Sequence, residues 1–141
     1  LLKDYAHAAI SLGAKRVMVV CSEDGYDEIS PCTNTYVYQM DNKGNEYHYV
    51  INPEKFGITD ASETELIGGS GEENARLGLE ILKGGGRKTI RYAVGLNTAA
   101  ILYISGKTRT LKDGYKMALD AIDSGKALAK LEEIREFSKS A

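Results

Sequence analysis

Residues 15–28 read Lys15-Arg16-Val17-Met18-Val19-Val20-Cys21-Ser22-Glu23-Asp24-Gly25-Tyr26-Asp27-Glu28. The unbroken apolar run from Val17 to Cys21, rich in β-branched side chains, predicts a strand buried on both faces. Before it, Leu2, Tyr5, Ala6, Ala9 and Ile10 recur at helical spacing, and Gly13 suits a helix stop. A helix feeding such a strand is half of a parallel crossover unit, so the expected fold class is α/β. In open α/β sheets, ligands gather beyond the C-terminal ends of the strands. The acidic stretch that follows Cys21 occupies that place.

Downstream, residues 34–40 and 46–52 alternate apolar with polar and flank Asp41-Asn42-Lys43-Gly44-Asn45. That is turn chemistry, and it predicts an antiparallel hairpin. Four of the nine tyrosines lie here, Tyr36, Tyr38, Tyr47 and Tyr49. Cross-strand aromatic packing is the plain reading, with a base-stacking platform as the sharper one. Pro53 ends the hairpin. Ser62-Glu63-Thr64-Glu65 and Ser70-Gly71-Glu72-Glu73 both fit capping boxes. The second opens a helix with Ala75, Gly78, Leu79 and Leu82 on a stripe, stopped by Gly84-Gly85-Gly86. Residues 88–104 are apolar nearly all round, which predicts a buried helix. A further helix follows the Thr110 cap, with Leu111, Tyr115, Ala118 and Ile122 on one face. Residues 126–137 form the last, through Leu128, Leu131 and Ile134. Strands come early and helices late.

At 141 residues the chain is long enough for one domain or part of a larger one. With 18 basic and 20 acidic residues it has no basic excess for a nucleic-acid face. No apolar run approaches membrane-spanning length. Two cysteines, Cys21 and Cys32, are too few for a disulfide framework or a zinc site, and suit reduced thiols in a cytoplasmic protein. His7 and His48 have no metal-ligand spacing and read as structural or surface groups.

Glu23, Asp24, Asp27 and Glu28 put four carboxylates into six positions. Such a loop is either a solvated acidic turn or a divalent-metal site. Hard carboxylate oxygens suit Mg²⁺, which keeps several waters and takes one or two protein carboxylates plus substrate phosphates. Gly25 would help the backbone turn sharply enough to bring Asp27 and Glu28 near an ion. Gly68-Gly69-Ser70 at a helix start offers amides to a phosphate, yet Glu72 and Glu73 oppose an anion there. Capping is the reading favoured by composition. Asn97, in the most apolar helix, needs hydrogen-bond partners, and an inter-helix or helix-to-loop bond is expected.

Together these segments resemble anthranilate phosphoribosyltransferase. Asp24-Gly25-Tyr26-Asp27-Glu28-Ile29-Ser30 resembles the family's "DGxDEIS", and Gly68 to Ala75 its "GGxxxENA". Leu96-Asn97-Thr98-Ala99, followed by Leu102-Tyr103, resembles its "LNAAxxLY". Asp123-Ser124-Gly125-Lys126-Ala127 resembles its "DSGKA". Their order and spacing cover nearly the whole chain. The resemblance implies transfer of phosphoribosyl from phosphoribosyl diphosphate (PRPP) to anthranilate, with release of diphosphate, in tryptophan biosynthesis. It implies Mg²⁺ as cofactor, held by Asp27 and Glu28. It implies an α/β large domain with a central mixed sheet and flanking helices, a small helical domain, and a homodimer. Residues 1–141 would be the C-terminal portion of the large domain. The helical domain and the glycine-rich PRPP loop would lie in an N-terminal portion outside this chain, which alone would not complete the reaction. A pyrimidine nucleoside phosphorylase and a non-enzymatic nucleic-acid-binding relative are the alternatives of similar fold. Two positions depart from the family. Cys21-Ser22 replaces His-Gly, and Ser70 replaces Asp.

Overall fold

Helix α1 (Leu2–Ser11) leads into strand β1 (Arg16–Ser22), as the sequence predicts, but the next strand returns antiparallel. The computed structural model describes residues 1–140. Strands β2 (Thr35–Asp41) and β3 (Glu46–Ile51) complete a sheet of order β1-β2-β3. Val19 pairs with Tyr38, and Tyr38 with His48. Both pairings are antiparallel, so the expected parallel crossover is absent among the described residues. The three strands of this chain pair antiparallel, with strands early and helices late as expected.

The predicted hairpin forms where the turn chemistry places it. Asp41 accepts hydrogen bonds from the amides of Lys43 (2.9 Å) and Asn45 (3.1 Å), closing the turn locally. The burial expectation for β1 does not hold. Val17 to Val20 are only half-buried and Cys21 is exposed, because β1 is an edge strand here. The strand buried on both faces is β2: neighbouring Val37 and Tyr38 are 3% and 2% exposed. Successive strand residues point to opposite faces, so two adjacent buried side chains require cover on both. On one side Tyr38 and Met40 pack with Ala6 of α1. On the other, Val37 and Ile51 join Ile29, Leu96, Ala99 and Tyr115 in the main core.

The tyrosines of β2 and β3 therefore do not stack on one another. Tyr36 and Tyr38 share one sheet face; Tyr47 and Tyr49 share the other. Tyr38 instead meets the edge of His48, with ring centroids 4.3 Å apart. Tyr49 donates to buried Gln39 at 2.9 Å, a use of its hydroxyl that apolar periodicity does not announce.

A 3₁₀ turn (Pro53–Phe56) and a single turn of helix, α2 (Glu63–Leu66), lead to α3 (Gly71–Leu82), α4 (Lys88–Ile104), α5 (Leu111–Asp123) and α6 (Lys126–Ser140). The Ser70 capping box forms in both directions: Ser70 Oγ accepts from Glu73 N, and Glu73 accepts from Ser70 N. The Ser62 box does not. Its hydroxyl pairs with Thr64 at 2.8 Å, and Glu65 reaches across to the Thr89 amide instead. Helix α3 buries Leu77 and Ile81 rather than the predicted stripe, and Ala75 and Gly78 face outward. Helix α4 is buried on one side only, with Val94 and Ile101 exposed. Its buried side meets α5 at close range through Gly95 and Gly114, where a β-carbon would strike Tyr115 and the Ala99 carbonyl. The predicted α5 face, from Tyr115 to Ile122, is buried as expected. Helix α6 buries no residue, and Ile134 on its apolar stripe is largely exposed.

Candidate metal-binding loop

The acidic loop leaves the C-terminal end of β1, and the structure divides its four carboxylates into two pairs. The first pair is used to hold the loop. Glu23 accepts hydrogen bonds from the Tyr36 hydroxyl at 3.0 Å and the Asn34 amide at 3.4 Å. Asp24 accepts from Ser22 Oγ with one oxygen and from Ser30 Oγ, at 2.5 Å, with the other. Partial burial by itself would raise the Asp24 carboxyl, but these hydroxyl donors outweigh it and hold it below the usual carboxylate range. Gly25 turns the chain at φ +88°, a conformation that suits glycine, and Ser22 N donates to the Tyr26 carbonyl at 3.0 Å.

The second pair is free. Asp27 and Glu28 are exposed, the backbone bends at both, and neither makes a hydrogen bond or ion pair among the described residues. They border different hollows. Asp27 lies on one of about 510 Å³ between the start of α1 and β1, beside Tyr5 and Met18. Glu28 lies at the mouth of an apolar groove of about 450 Å³ between α3 and α4, lined by Leu77, Val94, Asn97 and Ile101. The chain re-enters the core at once at Ile29, 2% exposed.

Two adjacent, unpaired, hard oxygen donors at a bend fit Mg²⁺, which is bound through one or two carboxylates with waters and phosphates. No group of three or more His, Cys, Asp or Glu side chains able to hold a metal occurs among the described residues.

The sequence-predicted helix-to-loop bond of Asn97 is present. Its Oδ1 accepts from Ile29 N at 3.0 Å, and its Nδ2 donates to Ile29 O at 3.0 Å and Ala93 O at 2.9 Å. Asn74 grips Gly69 in the same two-sided way, at 2.9 and 3.2 Å. That clamp and the Ser70 box make Gly68-Gly69 a structural helix entry. His7 lies 3.3 Å from Glu46 and 3.5 Å from the Tyr38 hydroxyl, away from the loop. Sequence reasoning missed Ser22 and Ser30 as supports of the loop. Their short spacing to Asp24 was the available signal, since such hydroxyls commonly bond nearby turn groups. The thiols Cys21 and Cys32 are both free.

Comparison with known proteins agrees with this architecture over most of its length. Residues 1–128 match the family described as "Glycosyl transferase family, a/b domain". The chain belongs to this family. It is 40% identical over 140 residues to the anthranilate phosphoribosyltransferase of Methanobrevibacter smithii, covering 99% of this chain and 41% of that protein. The Clostridium kluyveri enzyme is 42% identical over 140 residues, covering 98% of this chain and 41% of its own length. The chain thus spans about two fifths of the curated relatives it matches. Among solved members, the Saccharomyces cerevisiae enzyme in complex with PRPP and Mg superposes with a TM-score of 0.85 at 27% identity. That match covers 99% of this chain and 40% of the other. The Thermus thermophilus enzyme gives 0.76 at 35% identity, over 94% and 38%. No helix of the described residues is long and apolar enough to cross a membrane.

Proposed function

We propose that this chain is the C-terminal portion of the large domain of an anthranilate phosphoribosyltransferase, and that it supplies the magnesium-binding wall of the active site through Asp27 and Glu28. The observation that carries this is the division of the acidic loop. Glu23 and Asp24 hold the loop, while Asp27 and Glu28 stand exposed and unpaired at its bend. The resemblance to enzymes of that name, one of them solved with PRPP and Mg, supports the same reading.

In the reaction, the bond between the ribose anomeric carbon and diphosphate breaks as the anthranilate nitrogen bonds to that carbon and gives up one of its protons. Positive charge grows on the sugar and negative charge on the leaving group. Magnesium, when bound, supplies positive charge opposite the departing diphosphate. Asp27 and Glu28 would hold that charge at a set place on the wall. Ser22, Ser30 and Asp24 would keep the loop from rearranging as the charge moves.

The remaining parts of the proposal lie outside this chain: a small helical domain, a glycine-rich PRPP loop and a homodimer contact. The cytoplasm is the proposed location, and two free thiols suit its reducing conditions. The test is Asp27→Asn and Glu28→Gln in the complete protein, assayed for anthranilate- and PRPP-dependent product across a Mg²⁺ titration. Both changes should weaken the Mg²⁺ dependence and turnover without lowering the melting midpoint. Wild-type Mg²⁺ dependence in both variants would overturn the assignment.

A further inference from the structure

Asn97 stands on α4, 68 residues from Ile29 in sequence, yet it spends its amide on the segment that carries Asp27 and Glu28. Its oxygen takes the Ile29 N–H, and its nitrogen gives one hydrogen to the Ile29 carbonyl and one to the Ala93 carbonyl. Both donor hydrogens of the primary amide are thus used. This is the double bond pattern that a residue of a neighbouring strand would offer. Ile29 is therefore held at both main-chain polar groups, while its side chain lies in one core cluster with Leu96 and Ala99 of α4.

The tip of the loop is held from its two ends. On the N-terminal side, Ser22 bonds the Tyr26 carbonyl. On the C-terminal side, Asn97 bonds Ile29. Between them, Asp27 and Glu28 make no hydrogen bond of their own among the described residues. Those two anchors bracket the bend that carries Asp27 and Glu28.

We infer that Asn97 is a positioning residue for the metal ligands: by fixing Ile29 from the rigid α4 helix it presents Glu28, and Asp27 beyond it, at a fixed angle to an incoming magnesium–diphosphate. The inference rests on the reading of Asp27 and Glu28 as metal ligands. A residue that orients a ligand without touching the metal is expected to change metal affinity by about 10–100-fold when removed. A plain helix-to-loop staple would change stability and leave metal affinity alone.

The experiment uses the complete protein with Mn²⁺ as a paramagnetic stand-in for Mg²⁺, in the presence of PRPP, with free Mn²⁺ read by electron paramagnetic resonance. Four proteins are compared: wild type, the Asp27→Asn/Glu28→Gln double variant, Asn97→Ala and Asn97→Ser. The serine variant keeps a hydroxyl able to bond the Ala93 carbonyl one turn back, so α4 survives while the link to Ile29 is cut. Both Asn97 variants should bind Mn²⁺ about 10–100-fold more weakly than wild type. Turnover should recover toward wild type at saturating metal. Hydrogen exchange on the metal-free wild type gives a reading that needs no variant: the Ile29 amide should exchange far more slowly than those of Asp27 and Glu28. If the double variant loses Mn²⁺ while both Asn97 variants keep wild-type affinity, the positioning role is overturned and the ligand assignment stands. If the double variant keeps Mn²⁺, the assignment falls and this inference with it. An Ile29 amide that exchanges as fast as Asp27's overturns the inference even if neither Asn97 variant folds.

Discussion

The carboxylate of Glu65 accepts a hydrogen bond from the amide of Thr89 at 3.0 Å, and so caps a helix that has no cap of its own. Arg87, at the N-cap position of α4, has no side chain able to accept the first free amides. Glu65 comes from α2, and Arg87 returns the contact by donating to the carbonyls of Glu65 and Ile67 at 3.1 and 2.9 Å. Lys88 adds an ion pair to Asp60 at 2.5 Å. A segment with little apolar burial is thereby tied to the start of the longest helix.

Hydrogen bonding from Thr89 holds the Glu65 carboxyl below the usual range, with Lys88 and Arg87 assisting. Its stabilising contribution is therefore present above the unfolded glutamate value and lost as pH falls through the lower folded one. Glu65→Ala should lower the melting midpoint at neutral pH. The difference from wild type should shrink in acid. Thermal melts of both proteins at pH 7 and pH 3 check this; an equal difference at the two pH values would refute it.

Asp24→Ala tests the brace of the acidic loop. It leaves the Ser30 hydroxyl, on a residue 2% exposed, without its carboxylate acceptor. Ser30 Oγ still accepts from the Cys32 and Thr33 amides, so the loss is one hydrogen bond to a charged acceptor, about 1.5–3 kcal/mol. Because the Asp24 carboxyl is depressed in the fold, this contribution is full above about pH 4 and fades below it. Urea denaturation of wild type and variant across pH 2–7 should show the gap closing on the acid side.

Glycines in helices give a matched pair of outcomes. Replacing a mid-helix glycine with alanine favours the helix by about 1 kcal/mol. At Gly78 of α3 a β-carbon meets nothing within 4 Å, so Gly78→Ala should stabilise by about that amount. At Gly114 the β-carbon would lie 2.8 Å from the Ala99 carbonyl oxygen and 3.0 Å from Ala99 Cα, both main-chain atoms of α4. Forcing α4 and α5 apart costs about 1–3 kcal/mol, so Gly114→Ala should destabilise. Denaturation midpoints of opposite sign are the expected result.

Leu96 and Ile101 lie on the same helix and read alike in sequence. Leu96 is 1% exposed and packs on Val37 and Ile29, whereas Ile101 is 66% exposed. Leu96→Ala should cost about 2–5 kcal/mol through lost contacts and a cavity. Ile101→Ala should stay within about 0.5 kcal/mol, as surface changes do. Equal losses in denaturation experiments would show that the exposed side of α4 is covered in solution.

Much of this was legible in the residues. Turn chemistry at Asp41–Asn45, the Ser70 capping box, the Thr110 cap and the need of Asn97 for a partner were all readable, because each is a local pattern within a few positions. The ordered motifs pointed to the family. The sequence alone determined where helices and strands lie and that four carboxylates crowd one loop. Tertiary structure alone decided that β2, not β1, is buried on both faces. The polar tip of Tyr38 disguises a core strand, while β1, with its apolar run from Val17 to Cys21, lies at an edge. Only the fold divided the loop into carboxylates that brace, Glu23 and Asp24, and carboxylates left free, Asp27 and Glu28. It also chose Thr89 as the partner of Glu65 and Ile29 as that of Asn97. Those pairs lie 24 and 68 residues apart, and no local spacing encodes them. A half-buried amide or carboxylate gains by finding a partner, but packing selects which one.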